Sequence, residues 1–212
     1  MNIFEQISDY LNQGDEDKVA ELTDRAIAQE IAAKTILDEG LIAGMEIMGA
    51  KFKKHEVFLP EVLLAAKAMH AGMTKLKPLL IREGIPAKGK VVLGTVAGDL
   101  HDIGKNLVGI MLKGAGYEVI DIGHDAKPQL FIDTAKKEDA RVIGMSALLT
   151  TTMPMMRKVV ELLKEDNPGG KIKTMVGGAP VSKDYAAEIG ADAYGYDGAN
   201  AVQCVEELIA GG

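Results

Sequence analysis

The chain has 212 residues, a formal net charge of −7 and 4% aromatic residues, with no Trp. Few stacking side chains and no basic stripe argue against a nucleic-acid surface, while a single Cys excludes an intrachain disulfide framework or a multi-Cys zinc site and suits a reducing cytoplasm. No stretch of about 18 uncharged apolar residues is available to span a membrane, and the polar, acidic start MNIFEQISDYLNQGDEDK does not read as a signal peptide.

Residues 1–85 read as a helical domain. Apolar residues Ile3, Phe4, Ile7 and Leu11 recur at helical spacing over 2–12. Gly14-Asp15 ends that helix, and Asp15, Glu16 and Asp17 form a solvated start for the next, over 17–32. A third helix is predicted over 33–53. It contains Gly40, Gly44 and Gly49, each costing about 1 kcal/mol of helix stability against Ala. Such glycines are kept where another backbone or a flat ligand comes close. Pro60 fits the first turn of a fourth helix over 60–82. Four short-looped amphipathic helices make a small bundle.

The segment 83–90, EGIPAKGK, is a Gly/Pro/Lys linker. Beyond it the pattern alternates, and residues 86–212 form the second predicted domain. Short β-branched runs at Lys90–Ala97, Glu118–Ile122, Arg141–Ser146, Lys171–Val176 and Ala191–Tyr196 precede helical stretches near 104–115, 127–138, 153–166, 182–189 and 198–210. Repeated βα units imply a doubly wound parallel sheet, and flavodoxin-like order is the common five-strand solution. The fold class is therefore α/β: a four-helix cap bundle followed by a Rossmann-like five-stranded parallel sheet. Ligands of such sheets bind outside the carboxyl ends of the strands.

After the first strand comes Gly98-Asp99-Leu100-His101-Asp102-Ile103-Gly104. His101 can offer a ring nitrogen to a metal while Asp99 accepts the other ring N–H, fixing the tautomer. Gly104 would let the backbone turn into the next helix. Read alone, the same loop is also a solvated turn in which Asp102 caps a helix and His101 is incidental. His55, His70 and His124 have no metal-ligand spacing to His101, so a metal here would bring its own ligands, as a macrocycle does. Ser146, Leu148, Thr150 and Thr152 follow the third strand, Gly177 and Gly178 the fourth, and Asp197, Gly198 and Ala199 the fifth. Each has an ordinary reading as a cap or turn. Their joint occurrence at successive strand ends suits a large flat ligand with a tail. Met145, Met153, Met155 and Met156 could form a soft-metal site or a plastic partner surface, but flexible core packing is the better account.

Asp99-Leu100-His101-Asp102-Ile103-Gly104 resembles the D-x-H-x-x-G motif of cobalamin-binding domains; Ser146-Ala147-Leu148 resembles their S-x-L element and Gly177-Gly178 their G-G element. Residues 52–62, FKKHEVFLPEV, are similar to the cap bundle of the methionine-synthase type. The resemblance covers essentially the whole chain and is best to the small corrinoid proteins of methylamine, methanol, betaine and aryl-ether methyltransferase systems. The run SALLTTTMPMM over 146–156 looks closest to the methylamine and betaine types.

The resemblance implies a methylcobalamin-type corrinoid whose cobalt takes His101 as lower ligand, with Asp99 hydrogen-bonded to that ring. Thr152 would stand where methionine-synthase relatives carry a serine that completes the relay. Ser146, Leu148 and Thr150 would line one wall of the slot for the cofactor's tail and Gly177 and Gly178 the other, with Ala199 near the tail. Gly98, Leu100, Asp102, Ile103 and Gly104 would complete the binding loop. Phe52 and Leu59 match cap positions over the methyl-bearing face, although an amphipathic bundle also needs such residues in its core. The implied role is a methyl carrier in the cytoplasm. A substrate-specific methyltransferase loads it, a second methyltransferase unloads it to tetrahydrofolate or a thiol such as coenzyme M, and a reductive-activation protein keeps it competent. A cobalamin-dependent sensor would be expected to show a DNA-binding segment, and none is visible. A carbon-skeleton mutase subunit would share the His motif without needing this cap. A receiver domain would carry an Asp where the third strand ends in Ser146.

Overall fold

The computed structural model describes residues 2–211 and divides into two compact units, Met1–Ala87 with Gly114–Gly116, and Lys88–Lys113 with Tyr117–Gly212. In the first, α1 (Ile3–Gln13) opens on a capping box: Glu5 N–H donates to Asn2 Oδ1 and Asn2 N–H to Glu5 Oε2, both at 2.8 Å. Gly14 closes it at φ +74°, a left-handed conformation that favours glycine. Asp15 caps α2 (Glu16–Ala28) by accepting from Lys18 N–H at 2.9 Å. That helix stops four residues short of the predicted end, because Glu30 turns to φ +57°.

The predicted helix over 33–53 is not uniform. A short α3 (Ala33–Thr35) passes into a π-helical segment, Ile36–Ile42, and then α4 (Ala43–Lys53). This stretch lies against α1. Ser8 Oγ donates to Gly40 O at 2.8 Å, and Asn12 Nδ2 donates to Gly44 O, in the first turn of α4, at 2.9 Å. The glycines serve this contact. A Cβ on Gly40 would lie 3.2 Å from Ile7, and one on Gly44 would lie 3.1 Å from Ser8 Cα. The close neighbour is therefore a helix, and no flat ligand is needed to explain these glycines. Gly44→Ala is expected to lower the urea-unfolding free energy by about 1 kcal/mol through overpacking, despite alanine's better helix propensity. An unchanged midpoint would show that α1 shifts freely. The bundle is completed by α5 (Leu59–Arg82), with Pro60 in its first turn and Glu61 Oε2 accepting from Phe58 N–H at 3.1 Å.

The second unit is a five-stranded parallel sheet ordered β2-β1-β3-β4-β5, the flavodoxin-like order. The strands β1 (Lys90–Thr95), β2 (Glu118–Asp121), β3 (Val142–Ser146), β4 (Lys173–Gly177) and β5 (Ala193–Gly195) are mostly shorter than predicted. The helices are α6 (Ile103–Gly114), α7 (Pro128–Lys137), α8 (Pro154–Glu165), α9 (Lys183–Ile189) and α10 (Gly198–Ala210). Strand side chains alternate between faces. A Cβ on Gly109 of α6 would meet Leu93, whereas one on Gly94 would meet Phe131 of α7, so α6 and α7 cover opposite faces. Phe131, Ile143, Val176, Val159 and Met156 anchor the core, with Met145 buried among them and Met153 and Met155 packed against its edge. The methionines are core packing, as expected. Register aligns Thr95 with Ser146, Ser146 with Gly177, and Gly177 with Gly195, so four strand ends finish in one row.

Candidate functional site

At the β1 end of that row, Asp99 is completely buried while the His101 side chain beside it is 51% exposed. His101 Nδ1 lies 2.7 Å from Asp99 Oδ1, which also accepts His101 N–H at 3.1 Å. An ionised carboxylate only accepts, so Nδ1 carries the hydrogen and Nε2 keeps its lone pair in the neutral ring. Asp99 Oδ2 accepts from Leu148 N–H at 2.8 Å and Leu149 N–H at 3.1 Å, and lies 2.8 Å from Thr152 Oγ1. The Thr152 hydroxyl is also 2.8 Å from Leu149 O; the charged carboxylate is the stronger acceptor of its one hydrogen. Burial alone would raise the Asp99 pKa. Hydrogen bonds from Leu148 N–H, the His101 ring, Thr152 and His101 N–H outweigh it and hold the carboxyl well below its ordinary range.

The loop is also laced to the β2 side. Gly98, at φ +82°, donates its N–H to Asp125 Oδ1 at 2.7 Å, Asp125 N–H donates to Asp99 O at 3.0 Å, and Thr95 Oγ1 donates to His101 O at 3.1 Å. Lys105, in the first turns of α6, places Nζ 2.5 and 2.6 Å from the two carboxylate oxygens of Asp121 at the end of β2. Sequence reasoning gave no role to Lys105, to Asp121 or to the amide of Leu149. The available signal was Lys105 standing in register with buried Gly109 and Leu112, on the covered face of α6.

The other predicted residues divide into three groups. Leu100, Ile103 and Leu148 are exposed large apolar side chains, and Thr150 is exposed in the same β3–α8 loop as Leu148. Asp102 precedes α6 and its carbonyl accepts Asn106 N–H at 2.7 Å. Ser146 is half-buried at the end of β3. Gly104 lies inside α6, and a Cβ placed on it would meet nothing within 4 Å, so the fold itself does not demand glycine for the turn that was expected there. Gly177 and Gly178 have a packing reason instead. A Cβ on Gly177 would sit 2.6 Å from Gly195 O, and one on Gly178, at φ +121°, would sit 1.9 Å from Ala147 O. Ala199 is half-buried in the first turn of α10, whose N-terminus Asp197 caps through Asn200 N–H at 2.7 Å. Phe52 and Leu59 belong to the helical unit. They flank the turn between α4 and α5, half-buried, and neither lies in its core.

These residues suit a metal that arrives inside a broad, partly apolar ligand. Among the described residues no group of three His, Cys, Asp or Glu could hold a metal ion, so His101 offers a single nitrogen donor. Around it, Leu100, Ile103, Leu148 and Leu149 are between 40% and 73% exposed, an apolar collar that the chain leaves uncovered. Open space above Gly104 adds room for close approach. Fold and site together define a Rossmann-like module that presents one buttressed, half-exposed imidazole beyond its strand ends.

Comparison with known proteins agrees. B12 binding domain models match residues 89–204 and, for a second model, residues 3–77. The chain belongs to the B12-binding corrinoid proteins, and its cofactor is a corrinoid. It is 41% identical over 212 residues to a corrinoid protein of Desulfitobacterium hafniense, covering 99% of this chain and 98% of that one. It is 42% identical to the dimethylamine corrinoid protein of Methanosarcina barkeri, covering 98% of both chains. Among solved structures, the methanol:cobalamin methyltransferase complex MtaBC of M. barkeri matches at a TM-score of 0.87 and 31% identity, over 99% of this chain and 80% of that one. No helix among the described residues is long and apolar enough to cross a membrane.

Proposed function

We propose that this chain carries a methyl group on a corrinoid between two methyltransferases, with His101 as the lower ligand of the cobalt. The observation that carries the reading is the Asp99–His101 pair: a fully buried, multiply hydrogen-bonded carboxylate holding a half-exposed ring by Nδ1. When bound, the corrinoid supplies a cobalt centre that accepts and gives up methyl groups. The chain's own residues set what the cobalt meets. His101 would offer its Nε2 lone pair to the cobalt, with Asp99 holding the ring through Nδ1. Thr152 and the two amides of the β3–α8 loop keep Asp99 from turning away. Ser146, Leu148, Thr150, Gly177, Gly178 and Ala199 would hold the cofactor's tail, and Phe52 and Leu59 would face its methyl-bearing side. The helical unit, matched by its own B12-binding model, favours a methyl carrier over a mutase subunit, which does not need such a cap.

The donor class is a methylamine, betaine or related methylated compound. The acceptor is tetrahydrofolate or a thiol such as coenzyme M. The dimethylamine relative supports an amine donor, and the methanol:cobalamin methyltransferase neighbour supports a dedicated methyltransferase partner. A reductive-activation protein would complete the set. The test has two stages. Purified protein mixed with hydroxocobalamin is expected to keep a stoichiometric corrinoid spectrum after desalting; a colourless protein would sink the reading. Loaded protein is then assayed for demethylation of mono-, di- and trimethylamine and betaine with candidate partner methyltransferases. Failure of every donor would remove the carrier role while leaving corrinoid binding intact.

A further inference from the structure

Asp99 and Lys105 are the only charged side chains buried among the described residues. They lie on either side of His101 in one short segment, and they pull in opposite directions along the sheet. Asp99 ties the loop to the β3 side through Leu148, Leu149 and Thr152. Lys105, 2% exposed, ties the start of α6 to the β2 side through both oxygens of Asp121, and Asp121 in turn accepts Gly123 N–H at 2.8 Å. Because β1 sits between β2 and β3, the His101 loop is suspended between two neighbours. The first tie fixes the ring's rotation. The second fixes where the loop that carries the ring ends.

A buried lysine is an expensive way to hold a helix. A well-packed apolar side chain of similar length often does so at no loss of stability, which favours a specific geometric role for a buried cation here. We propose that the Lys105–Asp121 ion pair is a positioning device for His101, setting the height at which Nε2 stands above the strand ends. The pair does not touch the ligand atom and acts through the backbone from Lys105 back to His101. Its carboxylate side chain is 41% exposed, so the tie is anchored at a buried cation and trimmed at a solvent-facing acid.

This inference rests on the reading of His101 as the cobalt ligand, and its test separates the two. The variants are Lys105→Met, which leaves only the partly exposed Asp121 without its partner, and Lys105→Met/Asp121→Asn, which removes both charges while keeping an acceptor for Gly123 N–H. The first measurement needs no cofactor. In the apo protein, the imidazole nitrogen signals of His101, assigned with a His101→Ala sample, are expected to move or broaden in both variants. In protein carrying nitrogen-15-labelled histidine, loaded with hydroxocobalamin and reduced to the paramagnetic state, the electron-spin signal is expected to lose much of the splitting from the labelled ring, which the cofactor's own unlabelled base does not supply, and corrinoid affinity to fall about tenfold. Unchanged imidazole signals and splitting, whatever happens to the melting temperature, would overturn the proposal by showing a structural role only. Loss of the fold in both variants would overturn it equally, because the pair would then be holding the fold. Wild-type protein that takes up no corrinoid would reject the ligand reading, and the apo signals would still decide whether the pair positions the ring.

Discussion

His101→Ala is expected to abolish imidazole ligation of bound cobalt, changing the visible spectrum of the reconstituted protein and stopping methyl transfer, while the chain stays folded. The half-exposed ring contributes little to packing. Its loss removes one of several donors to Asp99, a cost of about 1 kcal/mol. A circular dichroism melt should therefore shift by only a few degrees. A spectrum identical to wild type would refute the ligand assignment outright. The variant isolates the metal bond, because the collar residues and strand-end glycines remain as they were.

Asp99→Asn is expected to have the largest effect on stability. The carboxylate accepts at Oδ1 from His101 ring and backbone, and at Oδ2 from Leu148, Leu149 and Thr152. An asparagine amide offers one acceptor oxygen and one donor nitrogen. Whichever way it turns, the donor faces other donors in a fully buried setting. The expected loss is about 3 kcal/mol in urea unfolding, and corrinoid affinity should drop at least tenfold. A pH series gives the sign. The folded-state pKa of Asp99 is depressed, so its contribution is complete above the ordinary carboxylate value of about 3.9. It is lost as pH falls through the lower folded value, where the folded protein too must take up the proton. Wild-type stability should fall below about pH 4 more steeply than that of Asp99→Asn, which lacks this titration. Parallel curves would show that Asp99 is not ionised in the folded protein.

Much of this was legible in the sequence, for definable reasons. The β1 loop, which alone also reads as a capped, solvated turn, stood out because polar elements recur at the successive strand ends, and the two-residue spacing of Asp99 and His101 suffices for the hydrogen bond that forms. The parallel, doubly wound class followed from the regular alternation of strand and helix patterns; the strand order is not written in that alternation, and the one found is the common five-strand solution. The misses have a common origin in distance along the chain. Lys105 and Asp121 are sixteen residues apart, and nothing in local pattern pairs a helix cation with a strand-end acid. The Asp99 bonds to Leu148 and Leu149 use backbone amides, which leave no mark on residue type. The π-helical segment escaped because its apolar periodicity differs little from an α-helix over seven residues. Gly177 and Gly178 were read as walls of a ligand slot, and the reason for glycine visible in the structure is contact with the Gly195 and Ala147 carbonyls.

The row formed by Thr95, Ser146, Gly177 and Gly195 has a slope. Thr95 is sealed beneath the His101 loop, so the accessible part of the row falls from the Ser146 hydroxyl to bare backbone at Gly177 and Gly195. The edge therefore has a polarity: reversed end for end, a molecule lying along it would set its thick part against the hydroxyl and its thin part over the open side. A ligand of even thickness would gain nothing from that slope. One that tapers is told which way round to lie before any individual hydrogen bond is made.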